Sequence, residues 1–336
     1  MSTTLKDIAK KANVSIATAS LALNESEKVN HATYEKIQKI AKELNYTPNA
    51  RARALVKKAT ETIGLVIPEV ENPFFAEMAQ SIKNTIKESG YNLILCSTEY
   101  KSEEELRYIN LFKSGLVDGA IFACLGDMME EHNKMIIDLV KNNTPVVFVD
   151  REINNYNLIP VIKTDLFEGA YKIATHLIKE GHQKIGFVGQ SEERVKGYKK
   201  ALRDNKIKVK DKYVFYDYLT IEGGYKVGQK ILKLDDLPTA LICLNDEMAM
   251  GVIQSLTSTD IKVPDDISVI GIDNIRMSEY YNPSLTTLNI PKKEMGKKAA
   301  EILLKRINNE KLTPNEQLVI FPTELIIRKS SKTINL

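Results

Sequence analysis

Tryptophan is absent from the 336 residues, cysteine occurs three times and histidine four times. Cys96, Cys124 and Cys243 lie far apart, each inside an apolar run, with no CxxC or Cys/His spacing. That pattern excludes a disulfide framework and a structural zinc site, and reads as reduced core thiols. His176 and His182 are six residues apart, poorly placed to share a metal on one helical face, and read as solvated or structural. No metal and no cofactor are expected. No apolar run approaches the roughly 20 residues needed to span a bilayer. Lys6, Asp7, Lys10 and Lys11 interrupt the N-terminus, so no signal-peptide core stands there. The expectation is a soluble, cytoplasmic chain with no membrane partner. Enzyme signatures are missing too. There is no GxGxxG after a strand, no GxxxxGK[ST] loop, no GxSxG elbow and no HExxH. No catalytic residue is assigned, and an enzyme is disfavoured.

What is present is unevenly spread. The formal net charge is only +3, yet residues 1–60 hold nine lysines and two arginines against five acidic residues. The rest of the chain is therefore slightly acidic. A small basic head on a mildly acidic body suggests a nucleic-acid partner for the head.

The head reads as three short helices. Thr4 is placed to cap "LKDIAKKA", with Asp7 three residues on in capping-box fashion. Asn13 suits a left-handed turn, and Ser15 can cap a second helix running to about Leu23. A third helix, "HATYEKIQKIAKELN", carries Ile37, Ile40, Ala41 and Leu44 at helical spacing. This is the helix-turn-helix plan. On the second helix Ala19, Ala22 and Leu23 lie inward with Val14. Ser15, Ile16, Ala17, Ser20, Leu21 and Asn24 lie outward, free to enter a major groove. The following "NYTPNARARALVKK" has Pro48 suited to a first helical turn and two arginines. It is too short to be stable alone and is expected to order against a partner.

The stretches "TLKDIAKKANVSIATASLALN" and "LNYTPNARARAL" resemble the lac repressor family of bacterial transcription regulators. The resemblance implies a double-stranded, pseudo-palindromic DNA operator as partner. It implies DNA contacts from Thr4, Leu5, Lys6, Ser15, Ile16, Ala17, Thr18, Ser20, Leu21 and Asn24. It also implies a hinge helix that pairs in a homodimer and enters the minor groove. Leu55 matches the leucine that wedges between base steps, Ala52 the small residue at the helix contact, and Tyr46 and Asn49 the flanks. One departure is Leu21, where the family commonly carries arginine. Leucine cannot make the bidentate contact to guanine, so Ile16, Ala17 and Leu21 are expected to read thymine methyls. More of the specificity then falls on the hinge and on DNA deformability.

In the body, "TIGLVIPEV", "NLILCST", "DGAIFACL" and "PVVFVDR" alternate with amphipathic segments. The series repeats with "KIGFVG", "VFYDYL", "TALICLND" and "ISVIGID". Such alternation predicts parallel sheets covered on both faces, and two series predict two α/β subdomains. "LTTLNI", the helix "KKEMGKKAAEILLKRI" and "LVIFPTELIIR" are expected to cross back and complete both. "IPEVENPFFAEMAQSI", "TDLFEGAYKIATHLIKEGHQKIGFVG", "RVKGYKKAL" and "PTALICLNDEMAMGVI" extend the resemblance over nearly the whole chain. The fold class implied is α/β, a two-lobed periplasmic-binding-protein-like body of parallel sheets preceded by a small all-α head. The expected boundaries are 1–47 for the head and 48–60 for the hinge. The N-terminal lobe is 61–161 plus about 290–320, and the C-terminal lobe 162–289 plus about 321–330.

By the same resemblance a small effector, carbohydrate-derived, sits between the lobes, where strand C-termini face the crevice. Asp246 and Arg194 match effector-binding positions. Asp150 and Arg151 are placed to bracket hydroxyls, Phe74 to stack on a sugar face with Asn72 near it, and Tyr218 and Asp273 complete the set. Asp246 is equally placed to cap the helix "EMAMGVIQSL". Only Gln190, Ser191, Glu192 and Glu193 separate "GFVG" from Arg194, where the family usually has a longer, effector-contacting loop. The function expected is a dimeric, sequence-specific transcription repressor switched by that effector. The alternative is control by a protein co-regulator, with the cleft vestigial.

Overall fold

The computed structural model describes residues 3–23, 28–46, 59–123, 130–151 and 158–334. It divides into two compact units, Met1–Glu61 and Thr62–Leu336. Asn24, Asn49, Ala52 and Leu55, with Pro48 and Cys124, lie outside the described residues.

The first unit holds helices α1 (Leu5–Ala12), α2 (Ile16–Leu23) and α3 (His31–Glu43). Thr4 caps α1 in a full capping box: its hydroxyl accepts from the Asp7 N–H at 3.3 Å, and its own N–H donates to the Asp7 carboxylate at 2.9 Å. Asn13 ends the helix at φ 56°, ψ 48°, the left-handed conformation expected of it. Ser15 then accepts from the Thr18 N–H at 3.0 Å and starts α2. Ile8, Ala9, Ala12, Ala19, Ala22, Ile37, Ile40 and Ala41 form one small core, with Leu5, Val14, Leu23, Leu44 and Tyr46 packed on its edge. A Lys11–Glu43 ion pair at 2.9 Å adds a tie between α1 and α3.

The second unit carries two six-stranded sheets. The first sheet contains β1 (Thr62–Ile67), β2 (Asn92–Ser97), β3 (Gly119–Phe122), β4 (Val146–Val149), β5 (Val161–Thr164) and β11 (Leu318–Phe321), all parallel, in the order β11-β5-β4-β3-β1-β2. Helices α4 (Pro73–Glu88), α5 (Ser102–Lys113), α6 (Glu130–Lys141) and α12 (Lys292–Ile307) cover it. The second sheet contains β6 (Ile185–Val188), β7 (Val214–Phe215), β8 (Ala240–Cys243), β9 (Ser268–Asp273), β10 (Thr286–Asn289) and β12 (Glu324–Ile326), in the order β12-β10-β9-β8-β6-β7. Only β12 runs antiparallel there. Its helices are α7 (Leu166–Lys179), α8 (Glu192–Asp204), α9 (Ile221–Ile231), α10 (Asp246–Thr257) and the short α11 (Met277–Tyr280). A last short helix, α13 (Pro314–Gln317), precedes β11.

Strand alternation sets the layers. Ile63, Leu65 and Ile67 of β1 join Phe75, Ile82 and Ile86 of α4 in one core, while Val66 faces Ile109 and Phe112 of α5 in the other. Both faces are therefore buried, as parallel strands require.

The chain crosses between lobes three times. "LVIFPTELIIR" passes from one lobe to the other as two strands: Pro322 and Thr323 break it, leaving β11 in the first sheet and β12 in the second. The boundary expected at 161/162 needs correction. It would cut β5, whose four residues all pair with β11 in the first sheet. Beta-branched Val161, Ile162 and Thr164 make this a strand, but at four residues it is too short to stand out by periodicity. "VFYDYL" is strand only at Val214 and Phe215.

Candidate DNA interface and effector cavity

In the head, α2 buries Ala19 and Ala22 and turns its opposite side to solvent. Ile16 is 50% exposed and Leu21 40%, with Ser15 and Ala17 also exposed and Thr18 and Ser20 half-buried. A stripe carrying no charge is thus left uncovered on a basic domain. Ser15 and Thr18 hydroxyls lie 2.8 Å apart, so each has a partner before any DNA arrives. Thr4 and Lys6 are exposed. Leu5 is half-buried against the core, and Tyr46 packs there too, its N–H donating to the Ala41 carbonyl at 2.9 Å.

In the body, the C-terminal ends of the strands open onto a cavity of about 1140 Å³. This is where open parallel sheets place ligands. From the first lobe come Asn72, Phe74 and Phe75 at the start of α4, Tyr100, Asn133 of α6, Asp150 and Arg151 after β4, and Lys163 and Thr164 of β5. From the second come Gln190–Lys196 and Lys199, Tyr216, Leu244, Asn245 and Asp273. Asn72 caps α4, its side chain accepting from the Phe74 N–H at 2.9 Å. That cap fixes the Phe74 ring at the wall, edge-on to Phe75 with centroids 5.1 Å apart.

Arg194 is the electrostatic centre. It is 7% exposed, and its Nη1 donates to the Leu244 carbonyl at 3.0 Å. Burial pushes the guanidinium down from its ordinary value, while Asp273 and then Asp150 pull it back. Both carboxyls respond in turn. Burial pushes Asp273 up to about 7, against the pull of Arg194 and Lys292. Burial pushes Asp150 up to about 6, although its Oδ1 accepts from the Thr164 N–H at 3.0 Å and Arg194 favours the ion. Asp150 itself sits at φ 48°, a left-handed conformation that turns the chain at the cavity edge. The lining carries five acidic residues (Asp150, Asp165, Glu192, Glu193, Asp273) and five basic ones (Arg151, Lys163, Arg194, Lys196, Lys199), and with Asp273 holding its proton up to about pH 7 the positive charges are in slight excess below that pH.

Six of the eight residues expected in the cleft therefore meet there: Asn72, Phe74, Asp150, Arg151, Arg194 and Asp273. Two do not. Tyr218 is 79% exposed and outside the lining, whereas Tyr216, two residues earlier, is in it. Asp246 is fully buried behind the wall. Its carboxylate accepts from Thr287 Oγ1 at 2.5 Å and from the Ile275 N–H at 2.9 Å, joining α10 to β10 and to the turn after β9. Burial and the nearby Asp273 push it well above the carboxylate range. It is not the helix cap either. Asn245 is, accepting from the Met248 N–H at 2.8 Å, and Asn245 also lines the cavity. In "LND" the strand has already ended at Cys243, and Asn245, two residues on, both caps α10 and lines the cavity.

Asn133 and Thr164 were not expected: Asn133 has no motif around it, and Thr164 opens the stretch "TDLFEGAYKIATHLIKEGHQKIGFVG" without having been singled out. Thr164 Oγ1 and Arg151 Nε are buried without a hydrogen-bond partner, a state native proteins seldom leave unanswered. The short "QSEE" segment lines the cavity at all four residues. Glu192 and Glu193 pair with Lys196 at 2.6 and 3.1 Å, which offsets their charge.

Residues 4–49 match the model for bacterial regulatory proteins of the lacI family, and residues 174–331 match the periplasmic binding protein-like domain. A full-length relative is the HTH-type transcriptional repressor PurR of Aliivibrio salmonicida, 36% identical over 334 residues, spanning 97% of this chain and 98% of the relative. A LacI family transcriptional regulator from Enterococcus faecium, solved with bound ribose, is 30% identical with a TM-score of 0.71, over 82% of this chain and 100% of the other. The lac repressor dimer bound to operator and the anti-inducer ONPF shares the fold, with a TM-score of 0.85 at 24% identity over 99% and 100% of the two chains.

Proposed function

This chain belongs to the lacI family of bacterial regulatory proteins and is a DNA-binding transcriptional repressor, not an enzyme, and on that premise we propose that a small neutral polyol of the aldose class, held in the cavity between the lobes, sets its grip on DNA. The observation that carries this is Arg194, buried beside Asp150 and Asp273 in a lining that mixes hydrogen-bond donors and acceptors. Such a set offers acceptors and donors to the hydroxyl groups of a sugar. Phe74 and Tyr216 supply apolar faces for the C–H side of a sugar ring. The ribose held by the Enterococcus faecium relative makes D-ribose the first ligand to try.

The repressor acts as a homodimer on a pseudo-palindromic site in the cytoplasm. A two-fold assembly presents two heads to two half-sites. The edge strand β2, with Leu95 exposed and Leu93 and Ile94 half-buried, is an uncovered apolar edge of the kind a second copy closes. Ile16, Ala17 and Leu21 favour thymine methyls within each half-site.

The test is a melting series with neutral monosaccharides, D-ribose first. A ligand at about 100 times its Kd raises stability by roughly 2.7 kcal/mol, a clear shift. Arg194→Met removes the shift and leaves effector-free DNA binding intact. A full panel without a shift, in a protein that binds DNA, contradicts the effector assignment.

A further inference from the structure

Glu105 of α5 is wholly buried and belongs to no part of the cavity lining. Its Oε1 accepts from Arg151 Nη1 at 2.5 Å, across 46 residues of sequence. Its Oε2 lies 2.5 Å from His132 Nδ1, and His132 Nε2 lies 3.0 Å from Ser102 Oγ. Arg151 Nη2 donates to Asn133 Oδ1 at 2.8 Å. The guanidinium also lies over the Phe148 ring, 4.8 Å from its centroid. Arg151 is thus held from α5, α6 and β4 together.

A buried ion pair seldom stabilises a fold more than well-packed apolar residues of the same volume. Stability alone therefore gives no reason for this network, whereas position does. A guanidinium has five N–H groups in a rigid fork. Glu105 and Asn133 take two, and Nε is buried without a partner. Arg151 and Asn133 both line the cavity, and residue 133 directly follows His132.

We propose that Glu105 is a positioning residue of the effector cavity: it fixes the Arg151 fork so that its remaining N–H groups serve the effector, and through His132 it sets Asn133 on the same wall. This rests on the effector reading of the cavity. The logic is that of groups behind a ligand shell, which orient without touching the ligand.

The test follows the Arg151 Nε–H resonance by NMR in the full-length protein, with D-ribose as titrant. In the wild type this proton exchanges slowly, and its signal moves as ribose is added. In Glu105→Gln the signal is lost to fast exchange, and ribose Kd rises about tenfold, equivalent to 1.4 kcal/mol. In an Arg151→Met background, Glu105→Gln brings no further loss of affinity, whereas a merely structural role lowers affinity equally in both backgrounds. An unchanged Arg151 signal in Glu105→Gln, or equal losses in both backgrounds, overturns the proposal. If Glu105→Gln does not fold, His132→Asn breaks the network at its other end and should loosen the same signal; an unaltered signal there also overturns it. Wild type that binds neither ribose nor any other neutral monosaccharide of the panel contradicts the effector reading, while the exchange of the Arg151 proton separately decides whether Glu105 holds it.

Discussion

Asp273→Asn isolates the electrostatics of the cavity. The carboxyl is buried, pushed up to about 7, and its isosteric amide cannot ionise. In the unfolded chain an aspartate titrates near 3.9. Between about pH 4 and pH 7 the folded protein therefore keeps a proton that the unfolded chain has released. Stability from this group is fully present below pH 4 and falls as pH rises, with the loss complete above about 7. The rise from about 3.9 to about 7, at 1.36 kcal/mol for each tenfold change in proton affinity, sets an upper figure of about 4 kcal/mol. Carboxylates held below their ordinary range elsewhere, such as Glu316 beside Lys305 and Asp204 beside Lys200, act with the opposite sign. The difference between variant and wild type cancels them. Asp273→Asn should therefore gain on wild type by about 2–4 kcal/mol between pH 4.5 and pH 8, which is roughly 5 °C or more in Tm. Calorimetric melts at four pH values measure it. Parallel Tm curves across that range would refute the reasoning, since they require Asp273 to be ionised throughout.

Thr4→Ala removes both hydroxyl bonds of the capping box and should lower the stability of the head by about 1 kcal/mol, read from its chemical denaturation. Leu21→Arg should leave the head folded, because Leu21 projects from α2, and should shift selection from a random DNA library toward guanine at one symmetric pair of positions; an unfolded head contradicts the face assignment. Gly197→Ala would bring a methyl group to 2.1 Å from the Phe167 carbonyl oxygen, so α7 and α8 must separate. It should destabilise the body by about 2 kcal/mol or more in a thermal melt.

Much of this architecture was legible because local signals agreed. Thr4, Asp7, Asn13 and Ser15 each act at the helix end their chemistry suits. Strand runs such as "TIGLVI" and "ISVIGID" were long enough, and apolar enough on both faces, to mark a parallel sheet. β5 escaped notice because four residues carry no measurable period. Asp246 and Tyr218 show a different limit. Strand ends fix where a cavity lies but not which of two neighbouring side chains turns into it. A shift of one residue exchanges Asn245 for Asp246, and a shift of two exchanges Tyr216 for Tyr218. Asn133 and Glu105 had no signature at all. Their roles arise only when α5 and α6 pack beside the end of β4.

The most direct measurement is the affinity for a selected operator, at fixed salt, with and without saturating D-ribose, in wild type and Arg194→Met. The prediction is a change of about 5–150-fold in the wild type, the usual range of coupling between two sites, with two chains bound per duplex. In Arg194→Met the same titration should show no change, at an unaltered ribose-free affinity. An identical operator affinity with and without ribose, in wild-type protein that demonstrably binds the sugar, would contradict control through the cavity.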